Sequence, residues 1–295
     1  MKRLVLVSDL HVGSTVGLCP PVVPMESGGA YHANPIQLGL YKAWKAGTTG
    51  YWAEPDFLVL SGDMVDGPNK KEAGHDLWMA DILSQVAVAR DLIRMWNARC
   101  IYMVRGTHYH THINGQPMEE VLARELKAQP FPPQFNRDRR SGTSLYLTVQ
   151  GVTLHVAHKC GVRSSHPMYR STGITREMML AKLNSEITDE MKDYDVDIVV
   201  RGHQHFFWRS ESTSHVGLML PGWQLKSEHA DSENPLGWIP DVGFVGIEIE
   251  GPDYAISKVI TKLEDVALPP HAIHTGGGKR ATNREGGDAG CRADA

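Results

Sequence analysis

The stretch Leu4-Val5-Leu6-Val7-Ser8-Asp9-Leu10-His11 decides how this chain is read. Four apolar residues in a row read as a short strand. The run stops at Ser8-Asp9, which leaves an acid and, two residues on, an imidazole at the strand's carboxyl end. The same event recurs down the chain. Phe57–Leu60 leads into Gly62-Asp63-Met64-Val65-Asp66, and Ile101–Val104 into Gly106-Thr107-His108-Tyr109-His110. His158 follows Val152–Ala157, and Gly202-His203-Gln204-His205 follows Ile198–Val200.

Between these runs lie longer helical patterns. Leu77, Ile82, Val86, Leu92, Ile93 and Trp96 recur near the helical period and predict a helix over 77–96; a second is predicted over 175–191. Strand–helix–strand alternation favours an α/β fold with a largely parallel or mixed sheet covered by helices. Leu145–Val149 and Val152–Ala157 meet at Gly151 as a tight hairpin. After Gly202 the pattern turns to strands, His215–Leu220, Phe244–Ile249 and Tyr254–Ile260, which predict a second sheet packed on the first. Residues 12–35 read as a long loop and a candidate wall of the site. One domain is expected over 1–268, and 269–295, poor in large apolar residues, as a disordered tail.

Ligands of an open α/β sheet gather beyond the carboxyl ends of its strands, so topology delivers all five polar clusters to one edge. Residues two apart on extended chain point to one side, so Asp9 with His11, and His203 with His205, each offer paired ligands. Mixed oxygen and imidazole donors suit manganese, iron, zinc or nickel better than magnesium or calcium. A central carboxylate such as Asp63 can bridge two cations, which together hold a hydroxide and neutralise phosphate oxygens. Gly62, Gly106 and Gly202 each stand just before a ligand candidate, where the chain must turn close to the metal.

The series Asp9-x-His11, Gly62-Asp63-x-x-Asp66, Gly106-Thr107-His108, His158 and Gly202-His203-x-His205 resembles the five motifs of the calcineurin-like metallophosphoesterases. The resemblance covers roughly 4–206. It implies a two-sheet sandwich, α-β-β-α, with helices on the outer faces. It implies one metal on Asp9, His11, Asp63 and His205, and a second on Asp63, His158, His203 and the residue at Thr107. The family has Asn where this chain has Thr107, so only a hydroxyl is offered there. Its general acid is by direct register His108. The form Gly-Thr-x-x-His is similar to a variant among phage and prophage members, as is Pro221–Lys226, and it places the acid at His110. Both histidines stand as candidates, with His110 preferred.

Composition narrows the partners. A formal net charge of -4 excludes a grossly basic nucleic-acid coat but not a local basic groove. No apolar stretch approaches the ~20 residues that span a bilayer, and Leu4–Val7 is too short for a signal-peptide core. Cys19, Cys100, Cys160 and Cys291 lack CxxC spacing and read as reduced thiols of a cytoplasmic protein, in a host's cytoplasm if phage-encoded. Arg163 and Arg105 are candidate substrate contacts, Trp223 a candidate base-stacking residue, and Asp66 either an orienter of a ligand histidine or a turn cap. The expected function is hydrolysis of a phosphate ester at a dinuclear metal site, as a phosphodiesterase or nuclease on nucleic acid or nucleotide. The alternatives are a phosphomonoesterase and a non-enzymatic metal-binding scaffold.

Overall fold

The computed structural model describes residues 1–69, 73–131, 138–161, 169–187, 195–227 and 239–262. Strand β1 (Lys2–Val7) shows how the layers arise. Its side chains divide by parity: Leu4 and Leu6 enter one core, Val5 and Val7 another, and all four are fully buried. Two short ribbon strands, β2 (Val22–Pro24) and β3 (Ala30–His32), come after it in the chain. A second small ribbon, β6 (His112–Ile113) with β7 (Gln116–Pro117), follows the single-turn helix α3 (His108–Thr111) further along. β1 pairs in parallel with β4 (Phe57–Ser61), and β4 in parallel with β5 (Cys100–Val104). On its other side β1 meets β13 (Val242–Glu250) antiparallel, which pairs antiparallel with β14 (Asp253–Thr261). The order is β14-β13-β1-β4-β5.

The second sheet contains β8 (Ser144–Val149), β9 (Val152–Ala157), β10 (Ile198–Arg201), β11 (Trp208–Glu211) and β12 (Val216–Met219), in the order β11-β12-β10-β9-β8. β9, β10 and β12 run parallel, and the two edge strands antiparallel. Leu4, Leu6, Val59, Val245 and Ile247 of the first sheet meet Leu147, Leu154, Val156, Val200 and Leu218 of the second in the core between them. α1 (Pro35–Thr49), α2 (Ile82–Arg94) and α4 (Met118–Glu125) pack Trp44, Val86, Ile93 and Leu122 onto the outer face of the first sheet. α5 (Thr172–Ile187) sets Ile174 against Val199 and Met219 on the outer face of the second. The fold is therefore α-β-β-α, with two mixed sheets. Among the described residues no helix is long and apolar enough to cross a membrane.

Four expectations need correction. The last strands do not form a sheet of their own: β13 and β14 extend the first sheet, while β12 joins the second. α2 starts at Ile82, not Leu77, because Asp81 caps it through the Ser84 amide (2.7 Å) and the Trp78 amide donates to Gly13 O (2.9 Å). α5 starts at Thr172, three residues early, and 188–191 of the predicted helix lie outside the described residues. Residues 12–35 are not all loop, since Val22–Pro24 and Ala30–His32 pair as a ribbon. The predicted tail, 269–295, also lies outside the described residues.

Trp44 is fully buried, edge-on to Trp96 and Trp223, and its Nε1 donates to Leu92 O at 3.1 Å. Trp44→Ala is expected to lower unfolding free energy by about 3–5 kcal/mol. Truncating the exposed Leu38 of the same helix should change it by less than about 1 kcal/mol. Denaturant titration of both variants checks this.

Candidate metal centre

The parallel strands of both sheets end at one seam. Ser8-Asp9-Leu10-His11 leaves β1, Gly62-Asp63 leaves β4, and Arg105-Gly106-Thr107 leaves β5. From the other sheet come His158 after β9 and Gly202-His203-Gln204-His205 after β10. The backbone there is unusual. Asp9, His11, Asp63, His203 and His205 all have positive φ (57°, 45°, 54°, 69° and 53°). Left-handed conformations cost an L-residue roughly 1–2 kcal/mol each, so five at one site mean that the surroundings impose them. Glycines supply the room. A Cβ on Gly106 would stand 2.0 Å from Asp63 Oδ1, and one on Gly202 2.1 Å from Ser8 Oγ.

Among the described residues three groups of side chains could each hold a cation, and two of them share Asp9: Asp9, His11 and His205, and Asp9, Asp63, His158 and His203. Asp9 is common to both groups, and Asp63 lies in the second. The histidines are aimed by the groups that stand behind them. His158 Nδ1 donates to Ser61 O (2.6 Å), which turns Nε2 to Asp63 Oδ2 (2.9 Å). His11 Nδ1 donates to Asp66 Oδ1 (2.8 Å), and His205 Nδ1 to Gln224 O (3.3 Å), which leaves its Nε2 3.2 Å from Asp9 Oδ1. Asp66 thus orients His11 and does not merely cap a turn. Asp9 Oδ1 and His11 Nε2 are buried with ion-pair contacts (3.7 Å to each other, and 3.2 Å from Oδ1 to His205 Nε2) but without a well-formed hydrogen bond. Such orphans are rare in a folded chain, and both belong to the first group, so the donor set fits a bound cation.

Burial raises the affinity of Asp9 and Asp63 for a proton, but the histidines outweigh it. His205 and His158 hold Asp9, and His158 chiefly holds Asp63, well below the usual carboxylate range. Conversely, burial depresses His11 and His158, and the carboxylates more than reverse this. Asp66 and Asp9 lift His11 to about 10, while Asp63 and Asp9 lift His158 to about 9. Burial, then His11, pushes His110 below its ordinary value, and burial does the same to His203.

Asp9, His11, Asp63, His158, His203 and His205 are thus brought together. The Thr107 hydroxyl lies 3.0 and 2.9 Å from the two oxygens of Asp63, and its amide donates to Oδ1 at 2.7 Å. His110 stands edge-on to His11 (4.6 Å between ring centres), donates from Nδ1 to Asp66 O at 2.8 Å, and forms a further group with His11 and Asp66. His108 is exposed and packs on His112. Arg105 is half-buried, with Nε lacking a partner, and Arg163 lies outside the described residues. Cys160 joins none of the ligand groups.

Trp223 is a correction. It is buried to 1% exposure, edge-on to Trp44, and its amide donates to Asp9 O at 2.8 Å. It braces the Asp9 turn and offers no face to a base. Sequence reasoning also missed Ser8, which donates to Asp9 Oδ2, and Gln224, which backs His205 and bonds Ser14 Oγ. Glu119 was missed as well; it is fully buried beside Asp63 and lifted to about 7 by burial and by that neighbour. Adjacency to a motif could have flagged Ser8. Nothing in the sequence marks Glu119 among 34 acidic residues.

A model of the calcineurin-like phosphoesterase family matches residues 2–207, and the chain belongs to that family. It is a metallophosphoesterase whose Asp/His groups are consistent with a dinuclear site. A search of curated proteins gives no match. Similar solved structures include Vps29 of Chaetomium thermophilum (11% identity, 88% of this chain and 98% of that one, TM-score 0.44). Others are an archaeal phosphodiesterase (12%, 87% and 99%, 0.41) and a predicted phosphoesterase of Streptococcus pneumoniae TIGR4 (12%, 92% and 94%, 0.37).

Because His11 and His158 titrate at about 10 and 9 without metal, both are protonated at pH 7. Both values lie above the ordinary 6.5, so the stability they add is full below pH 6.5 and is lost as pH rises through 9 to 10. A cation must displace those protons. Calorimetry of Mn²⁺ binding at pH 7 in buffers of different ionisation enthalpy should show net proton release, which shrinks by pH 10. Binding without proton release would contradict these assignments.

Proposed function

We propose that the chain is a phosphodiesterase acting as a nuclease on nucleic acid or nucleotides, with two divalent cations, manganese foremost and iron, zinc or nickel as substitutes. The observation that carries this reading is the pair of Asp/His groups meeting at Asp9, with Asp9 Oδ1 and His11 Nε2 buried and lacking a well-formed hydrogen bond. Two cations bound there would polarise phosphoryl oxygens and bring the pKa of water toward neutrality. Asp9, His11 and His205 would hold one; Asp63, His158 and His203 would hold the other, with Thr107 beside them. Asp9 and Asp63 would supply the carboxylates of the two positions.

Charge supports a diester. Among the described residues, the ion pairs at the cluster all join His to Asp; none brings a guanidinium or ammonium. A diester carries one negative charge fewer than a monoester dianion and needs less to offset it. The phage-like Gly106–His110 and Pro221–Lys226 segments support the same reading and a phage or prophage origin. Arg105, with its unpartnered Nε, would contact a flanking phosphate, and Arg163, which lies outside the described residues, is proposed for the same role. Free Cys19, Cys100 and Cys160 support a reducing compartment, the cytoplasm.

We place His110 as the general acid. Its Nδ1 proton is committed to Asp66 O, so Nε2 is the atom that would hand a proton to the leaving oxygen, and it does so from the doubly protonated imidazolium, which returns to the neutral Nδ1–H form. His108 turns instead to His112.

The test is paired assay of bis-p-nitrophenyl phosphate and p-nitrophenyl phosphate with Mn²⁺. Diester cleavage, abolished by chelator and in Asp63→Asn, is expected. Preference for the monoester would make the chain a phosphomonoesterase, and bound cations without cleavage of any ester would make it a scaffold. On a dinucleotide, whose alkoxide leaving group needs a proton, His110→Asn should lower kcat by about 10²–10⁴-fold and His108→Asn should not. The reverse order would move the acid to His108.

A further inference from the structure

We infer that Glu119 is the positioning residue of this centre, a carboxylate staple that fixes the Asp63 and Thr107 loops relative to each other. The inference rests on the proposed metal centre and adds a residue that neither the motifs nor the ligand groups contain. Glu119 lies in the first turn of α4 and is fully buried. Its Oε1 accepts from the amide of Met64, the residue after Asp63, at 2.9 Å. Its Oε2 accepts from the amide of Gly106, the residue before Thr107, at 2.6 Å. One carboxylate thus binds backbone from two strand-end loops at once.

The geometry explains why a side chain with two acceptor oxygens is needed there. The loops approach so closely that a Cβ on Gly106 would fall 2.2 Å from the Asp63 amide nitrogen. At such an approach neither loop can turn its amides to water. The Thr107 amide is taken by Asp63 Oδ1 itself (2.7 Å), so the Gly106 and Met64 amides need another acceptor. A buried backbone donor left unmet is costly, and a carboxylate with its lone pairs meets two together. Position in the first helical turn favours the anion, because the amide dipoles point at it. The staple holds the loop of Asp63, whose oxygens lie toward His158 and Thr107. Glu119 belongs to none of the ligand groups and acts through the Asp63 loop.

A space-filling glutamate and a stapling one respond differently to substitution. Glutamine has nearly the same volume but a single acceptor oxygen, so E119Q must set an NH₂ group against the amide of Met64 or Gly106. Aspartate is shorter yet keeps two acceptors. The experiment is Co²⁺ titration of the full chain, wild type, E119Q and E119D, reading the dissociation constant and the visible absorption of the bound ion. E119Q is expected to bind Co²⁺ about 10–100-fold more weakly with an altered spectrum, and E119D to recover part of the loss. In esterase assays at saturating metal, kcat of E119Q should fall while KM stays.

E119Q indistinguishable from wild type, with E119D the worse variant, overturns the inference and leaves the metal centre standing. A wild type that takes up no Co²⁺ overturns both. If neither variant folds, amide exchange in the wild type decides. Strong protection of Met64 and Gly106 is expected, and exchange of either at the rate of an open loop overturns the staple.

Discussion

Two carboxylates, Asp9 and Asp63, are buried side by side where the two sheets meet, and most of their surroundings answer that one constraint. Neither burial nor their mutual repulsion is tolerable for unpaired charges. The response is layered. Histidines face the carboxylates; a carbonyl or a further carboxylate stands behind His11, His158 and His205 and fixes which nitrogen points inward. The seam itself is closed by the same atoms: the His203 amide from the second sheet donates to Asp9 Oδ2 (2.9 Å), and the His158 ring reaches back to Ser61 O of the first. The site is therefore also a joint between the sheets.

The backbone carries the cost of this convergence. Five of the six Asp/His ligand candidates are left-handed, and Gly62, Gly106 and Gly202 sit where any side chain would collide with a ligand or its neighbour. Strain of this kind persists only if the rest of the molecule over-determines it. Trp223 shows how: its ring is wedged edge-on against Trp44 in the helix-covered core, while its amide grips Asp9 O. The core on the outer face of the first sheet thus bears directly on the Asp9 turn.

The convergence of the candidate residues was more legible in the sequence than the architecture around them. Asp9, His11, Asp63, His158, His203 and His205 were legible because each comes directly after an apolar run, and parallel strands deliver the residues at their carboxyl ends to one edge. Sheet membership was not legible, because β13 joins β1 through pairings such as Leu4 with Ile247, which no local pattern encodes. The apolar period of α2 runs on through Leu77, yet a hydrogen bond to Gly13 holds that segment out of the helix. Trp223 looked like a base platform because it comes after the last motif; its direction depends on the turn at Gly222, where a Cβ would press on His205 and Asp9. Glu119 has no signature, since its meaning lies in two amides far from it in sequence.

The central claim is that this seam is built for two cations. Anomalous diffraction from crystals grown with Mn²⁺ tests it most directly. The account predicts two peaks, one against Asp9, His11 and His205 and one against Asp63, His158 and His203. A single peak would show that Thr107 does not support the second position, and no peak in the seam would contradict the account.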